Sequence, residues 1–443
     1  MQSGFLRIFT LAAVSGCLIG VVGAAFRSLI EHGYLGFLAA ARAVEVRGYP
    51  GWVAAALAGA VLVTLSVYLT RRFAPEAAGS GIQWIEGAMK DVLPPVRWQR
   101  ILPVKFTGGL LAMSAGLTLG REGPTIHLGG AIGAMMGRFA EVSEEHRHAL
   151  IAAGAGAGLS VAFNAPVGGI LFVSEEMHDD IVYTSLVAQY VVVASITATL
   201  TSGLILGFGR IMPIPAATVP TLIELGAVIG LGVLIGIYGS FLNAALIGAI
   251  ARLRRVQERL GWACVSLPVG GLMGLLAAVY PDATGGGEIL AAQLINSGAP
   301  AGPLIALLLA RTLLFLVNYA TGTPGGIFAP QLALGVIVGL LFFAMVDAVA
   351  PGVAGEPLRF AVAGMAALLT ATVRAPLTGM MLVVEMTGSI ELLFMMLMAS
   401  LTAAATARLL GSEPIYHRML ERAIAEVQAA PGNSRAVVAA AER

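Results

Sequence analysis

The run Gly120-Arg121-Glu122-Gly123-Pro124 breaks an otherwise apolar stretch, and its reading decides how the rest of the chain is read. Glycines around an acid let the backbone turn and be approached closely, and a proline in the first turn of a helix sacrifices no donor that the helix needs. The run therefore marks a helix start. From Thr125 to Met136 no Asp, Glu, Lys or Arg follows. If that helix lies inside a bilayer, the Glu122 carboxylate costs about 2.5 to 3.5 kcal/mol or more, which marks it as a candidate for function.

Composition places the segment in a bilayer. Of the 443 residues, 58% are hydrophobic and 12% are charged, against about 25% charged in soluble domains, and the mean hydropathy is +0.87. About 20 apolar residues in a helix cross roughly 30 Å of hydrocarbon, and runs of that kind recur from Phe5 to Leu410. They do not alternate as barrel strands do. Arg7, the apolar run after it and the small residues near Gly23 imitate a secretory leader, but the run continues and reads as the first membrane helix. A formal net charge of +1, with basic residues in short loops, argues against a nucleic-acid partner. Cys17 and Cys264 lie in apolar runs and read as small packing residues.

Searching for internal similarity finds four landmarks that occur twice in the same order. Leu18-Ile19-Gly20 with Gly23 recurs as Leu234-Ile235-Gly236 with Gly239, and Gly79-Ser80-Gly81 recurs as Gly285-Gly286-Gly287. Pro124 with Leu128, Gly129 and Gly133 recurs as Pro330 with Leu334, Gly335 and Gly339. Ala165-Pro166, Gly169 and Glu175 recur as Ala375-Pro376, Gly379 and Glu385. Basic residues mark cytoplasmic loops. Arg71-Arg72 and Arg97 to Arg100 flank the first Gly-Ser-Gly landmark, whereas the equivalent loops 281–284 and 298–303 carry no basic residue. The halves therefore read as inverted, with 71–100, the basic loop Arg252 to Arg259 and the chain after Tyr416 on the cytoplasmic side. Arg252 to Arg259 corresponds to a mixed-charge stretch, Arg42 to Arg47.

Breaks at 79–81, 120–124, 164–166, 284–287, 322–330 and 374–376 cut the apolar runs into pieces too short to span. Broken helices at membrane depth are tolerated only when buried in protein or lining a cavity, and inverted repeats with broken helices are a transporter signature. The expected fold is an all-α polytopic membrane protein in a single transmembrane domain. Its tilted and broken helices fall into two inverted-topology repeats, 5–210 and 217–410, followed by a cytoplasmic helix and loose tail over 411–443.

An anion crossing a bilayer must exchange its hydration for other donors, and backbone N–H groups at helix N-termini supply them without a full positive charge. Gly79-Ser80-Gly81-Ile82-Gln83, Gly120 to Pro124 and Gly325-Gly326-Ile327-Phe328-Ala329-Pro330 all have the required form. One such segment would do no more than let helices pack closely. Three in mirrored positions point to an anion site. No His-Glu-x-x-His run or Cys/His ligand spacing occurs, so no metal and no cofactor is expected. Gly79-Ser80-Gly81 has the wrong spacing for a Gly-x-Ser-x-Gly elbow, and no enzyme chemistry is expected. His127 reads as a histidine hydrogen-bonded in a helix bundle, and His146 and His148 as part of a solvated loop, 143–148.

Together these segments resemble the CLC family of chloride channels and proton/chloride antiporters. Gly79 to Gln83 is similar to its Gly-Ser-Gly-Ile-Pro motif, with Gln83 in place of proline. Gly120 to Pro124 matches Gly-x-Glu-Gly-Pro, and Gly326, Phe328 and Pro330 match Gly-x-Phe-x-Pro. Tyr416, in Glu413-Pro414-Ile415-Tyr416, falls where the family has a late tyrosine. The resemblance covers Leu11 to Tyr416 and is to prokaryotic-type members without C-terminal regulatory domains. It implies that chloride is bound at Ser80, Gly81, Ile327, Phe328 and Tyr416, with hydroxyls from Ser80 and Tyr416 and amides from Ile327 and Phe328. It implies that Glu122 is the gate, occupying the anion site when ionised and leaving when protonated, and that Glu176 is the internal proton-transfer residue. A plainer reading of Glu175-Glu176, beside His178, Asp179 and Asp180, is a membrane–water boundary, and Glu385 has no assigned transport role. The implied function is proton-coupled chloride antiport, with a passive chloride channel as the alternative and a fluoride/proton antiporter or an intramembrane enzyme further off. A homodimer in the inner membrane is also implied, with chloride, protons and lipid as its partners.

Overall fold

Residues 2–177, 184–215, 218–352 and 355–429 are described by the computed structural model. Helices that are apolar all round belong among other helices or in lipid; the described residues form seventeen α-helices, most of them apolar, and no strand. The first set is α1 (Gln2–Val46), α2 (Gly51–Phe73), α3 (Ile82–Met89), α4 (Trp98–Ser114), α5 (Glu122–Phe139), α6 (Glu144–Phe163), α7 (Pro166–Glu176) and α8 (Ser185–Leu206). The second is α9 (Leu222–Leu260), α10 (Ala263–Val279), α11 (Glu288–Ser297), α12 (Ala301–Ala320), α13 (Phe328–Val349), α14 (Pro357–Val373), α15 (Pro376–Thr387) and α16 (Leu393–Leu409). A last helix, α17 (Ile415–Ala429), packs on α3. Seven helical segments among the described residues are long and apolar enough to cross a bilayer, and α3, α7, α11 and α15 are far shorter.

Packing repeats between the sets. α5 lies on α6 as α13 lies on α14, α1 on α8 as α9 on α16, and α6 on α7 as α14 on α15. The mirrored glycines explain the closest of these contacts. A methyl group on Gly133 would stand 2.7 Å from the Leu150 carbonyl carbon, and one on Gly339 would stand 2.7 Å from that of Phe360. Backbone thus meets backbone, as small residues allow between membrane helices. The sets are joined by α2 on α10 and α7 on α15, and by the contacts of the site.

Every expected break falls at a helix start. Two expected loops and the mixed-charge stretch, however, are helical. Arg252 to Arg259 forms the last turns of α9, Arg42 to Val46 the end of α1, and Glu144 to His148 the first turn of α6. Each continues as helix beyond the apolar run because local polar contacts replace lipid. The Ser143 side chain caps α6 by accepting from the His146 amide, and Arg254 pairs with Glu258 at 3.0 Å and with Glu426 of α17. Cys17 and Cys264 are also not packed inside, since both are exposed. His178, Asp179, Asp180 and the expected tail from residue 430 lie outside the described residues.

Candidate functional site

Three helix starts converge at the centre of the molecule. Before α3, Gly79 and Gly81 take left-handed conformations, φ 61° and 83°, which only glycine adopts without strain. The turn aims carbonyl groups inward, where no helix partner exists for them. The ammonium of Lys105, fully buried on α4, donates to the carbonyls of Ala77 (3.0 Å), Gly79 (2.6 Å) and Ser80 (2.9 Å). The Ser80 amide donates to the Tyr319 hydroxyl at 3.0 Å, and the two hydroxyls are 3.2 Å apart. α3 starts at Ile82 although Gln83 stands where proline is expected, and the Gln83 side-chain oxygen accepts from Ser80 Oγ at 3.4 Å.

The second start holds Glu122, fully buried in the first turn of α5. Its Oε1 accepts from the amides of Phe328 (2.6 Å) and Ala329 (3.3 Å). These belong to the first turn of α13, where amides have no intrahelical acceptor and the helix dipole favours negative charge. Oε2 is buried and meets no hydrogen-bond partner among the described residues. The expectation placed an anion on the amides of Ile327 and Phe328. The pair on Glu122 is one residue further along, with Phe328 common to both.

Backbone bridges fix the three starts against one another. Gly120 and Gly326 exchange both hydrogen bonds, 2.9 and 2.6 Å, in an antiparallel bridge, as the facing starts of two inverted helices require. Gly79 donates to Thr323 (3.1 Å) and accepts from Gly325 (2.9 Å). A methyl group on Gly123 would stand 2.7 Å from Ser80 Cβ and 2.9 Å from Gly326 Cα. Pro124 and Pro330 are buried in the first turns of α5 and α13, where no amide is missed.

Aromatic side chains close the site. The Phe328 ring stacks on Phe163 at 6.5 Å between centroids and lies 6.1 Å from both Phe172 and Tyr416. Tyr416 is fully buried in the first turn of α17. Its hydroxyl has no hydrogen-bond partner among the described residues, and Tyr319, Glu122 and Glu176 all lie within electrostatic reach of it. Glu176 is the last residue of α7 and is partly buried. Its neighbour Glu175 has a different task, accepting from the Leu377 and Thr378 amides at the start of α15, 3.0 and 2.6 Å. Glu385 of α15 returns the arrangement, accepting from Val167 (3.1 Å) and Gly168 (2.7 Å) of α7. His127 is fully buried against Gly81, and contrary to expectation neither ring nitrogen hydrogen-bonds to another described residue.

Lys105 and Tyr319 escaped the sequence reading. A signal for Lys105 was present, because a lone cation in an apolar run marks function or structure, and its mirrored residue Arg311 does the same work. Arg311 donates to the carbonyls of Asp282, Thr284 and Gly285, at 2.8, 3.0 and 2.9 Å. Tyr319 gave no signal, since an aromatic residue in an apolar helix is ordinary.

Residues 62–408 match the model of the voltage gated chloride channel family. The chain belongs to that family. Among its relatives, a Vibrio cholerae protein named H(+)/Cl(-) exchange transporter ClcA is 41% identical over 425 residues, covering 94% of this chain and 90% of the relative. The ClcA of Vibrio parahaemolyticus is 39% identical, with the same coverage. Of solved structures, a slow cyanobacterial Cl-/H+ antiporter superposes with a TM-score of 0.90 at 36% identity, covering 95% of this chain and 98% of the other. A CLC-type fluoride/proton antiporter reaches 0.72 at 19% identity over 94% of this chain and 98% of the other, a likeness of fold alone.

Proposed function

We propose that the chain is a proton-coupled chloride antiporter in which Glu122 gates the anion pathway and Glu176 relays protons. The observation that carries this reading is the seat of the Glu122 carboxylate on the first-turn amides of α13. Amides placed to hold a carboxylate oxygen hold a chloride equally well, so the two negative charges compete for the same donors. Protonation cancels the charge of Glu122 and weakens its hold on the amides, which frees them for chloride. Anion occupancy and protonation are thereby linked. The site attracts by dipoles, with the nearby Lys105 turned toward the carbonyls behind Ser80 and Arg121 toward Glu31 and Glu288. That keeps binding weak enough for release.

Ser80, Gly81, Ile327, Phe328 and Tyr416 line the chloride position next to this seat, and Glu176 serves the opposite, cytoplasmic side. The names carried by relatives at 41% and 39% identity support exchange. The protein acts as a homodimer in the inner membrane, with α17 in the cytoplasm and the two repeats spanning 5–210 and 217–410.

Purified protein in lipid vesicles tests the reading. A chloride gradient should drive protons uphill, and Glu122→Gln should pass chloride without protons. Glu176→Gln should lower proton flux by about 100-fold, the scale of a positioned proton-transfer group, while chloride still moves. A wild-type protein in which a chloride gradient moves no protons at any pH is a passive channel, and the proposal is then wrong.

A further inference from the structure

The loop ending at Gly287 is the mirror of the anion loop ending at Gly81. Both glycines are left-handed, φ 97° and 83°, and each directly precedes a short helix. Both loops have their carbonyls gathered by one buried cation, Arg311 or Lys105. Their chemistry differs. Gly286 stands at the place of Ser80, and Glu288 at the place of Ile82. The mirrored loop thus has no hydroxyl at the place of Ser80 and has gained a carboxylate.

That carboxylate stands at the edge of the site. A methyl group on Gly286 would be 3.5 Å from Cβ of Ala329, whose amide donates to Glu122. Glu288 Oε2 pairs with Arg121 Nη2 at 3.1 Å, and Oε1 is buried with no hydrogen-bond partner among the described residues. Arg121, the residue before Glu122, does not pair with it. Its other contacts are Glu31 Oε1 at 3.1 Å and the Ala162 carbonyl at 3.2 Å. Glu31 in turn pairs with Arg27 at 3.0 Å. These four charged residues, with Gln293 and Asn296, line a cavity of about 460 Å³, room for several waters at about 30 Å³ each. Exposure falls from Glu31 (49%) to Glu288 (19%) to the fully buried Glu122.

We propose that Glu288 carries protons between this cavity and Glu122, with Arg121 as the positioning residue for both. A hydronium in the cavity loses its proton to the exposed part of the Glu288 carboxylate, and rotation of the carboxyl group carries it inward. The proton then passes through water to Glu122 Oε2, and Glu288 returns to its carboxylate paired with Arg121. The groups that face Glu288 are Arg27 and Glu31 from α1, Arg121 just before α5 and Glu122 at its start, and Arg311 from α12, behind Gly287. α13 and α14, which also pack on α11, contribute no charged residue to the cavity. Glu288 and Glu122 are near enough for their charges to repel, so a proton on one favours the ionised form of the other. The two cations and two outer carboxylates balance, which leaves the cavity neither a trap for anions nor a barrier to them.

This inference rests on the antiport reading, and the two fail differently. In vesicles whose pH is varied on each side in turn, Glu288→Gln should slow exchange by roughly 10-fold when the cavity side is above pH 7. That is less than the about 100-fold of a sole acid–base group, because water still carries some protons. The chloride-to-proton ratio and the sensitivity to pH on the opposite side should not change, and Glu288→Asp should restore most of the rate. In a Glu122→Gln background, where no proton step remains, adding Glu288→Gln should leave chloride flux unchanged. Equal slowing at every cavity-side pH, or a further loss of chloride flux in the Glu122→Gln background, would show a merely structural carboxylate and overturn the proposal. An unaltered exchange rate overturns it too. A wild-type protein that moves no protons sinks the antiport reading, and Glu288 with it.

Discussion

At the scale of single residues, the site depends on groups that answer other buried groups. Lys105 alone supplies three carbonyls around Ser80. Lys105→Met would leave these acceptors bare, at 1 to 3 kcal/mol for each one left unsatisfied, so a net loss of about 3 kcal/mol is expected after relaxation. Thermal unfolding in detergent should show the loss, and calorimetric titration should show chloride binding weakened by roughly tenfold, about 1.4 kcal/mol. At Gly123 the limit is space, since the nearest atoms to an added methyl are Ser80 Cβ and Gly326 Cα. Gly123→Ala should cost between about 1 and 3 kcal/mol and slow chloride flux in vesicles, whereas the same change at Gly36, which has open space around it, should do neither. Glu122 and the glycine-rich starts were legible in the sequence because an acid or a glycine stands out in an apolar run. Tyr319 was not, because its function comes from a hydroxyl that only the fold brings to Ser80.

At the scale of elements, the short helices α7 and α15 hold each other by exchanged carboxylates. Glu175 of α7 takes the first amides of α15, and Glu385 of α15 takes those of α7. Glu175→Ala should destabilise the protein by about 2 kcal/mol, the range of a hydrogen bond to a charged group. Both caps brace one contact, so the double variant with Glu385→Ala should lose less than the sum of the single losses, by at least about 0.5 kcal/mol. Unfolding of the four proteins under one condition measures this. Glu175 and Glu385 stand out as matching landmarks of the two repeats, but the exchange between them depends on how α7 and α15 cross. The expected loop Arg252 to Arg259 is helix for a related reason. Hydropathy marks where a chain leaves the lipid, whereas a helix ends where its carbonyls find other partners, and ion pairs such as Arg254–Glu258 carry α9 further.

At the scale of the molecule, neither set of eight helices contains the whole site. Ser80 and Glu122 come from the first, Phe328 and Ala329 from the second, and the seam includes α2 against α10 as well. Cutting the chain between 216 and 217 should therefore yield two fragments that are each degraded when made alone, yet copurify and retain chloride transport when made together. Recovery of one stable fragment by itself would contradict this. The duplication and its inversion could be read from paired glycines, prolines and loop charge. The meeting of the two halves at Glu122 came from the family resemblance and not from spacing, because no spacing within one chain encodes which helix starts face each other. The bridges of Gly79 with Thr323 and Gly325, and of Gly120 with Gly326, each join backbone of one half to backbone of the other. A polypeptide of half this length would hold no complete seat for an ion. Two such pieces would have to meet upside down in one membrane, an encounter that a single chain no longer leaves to chance.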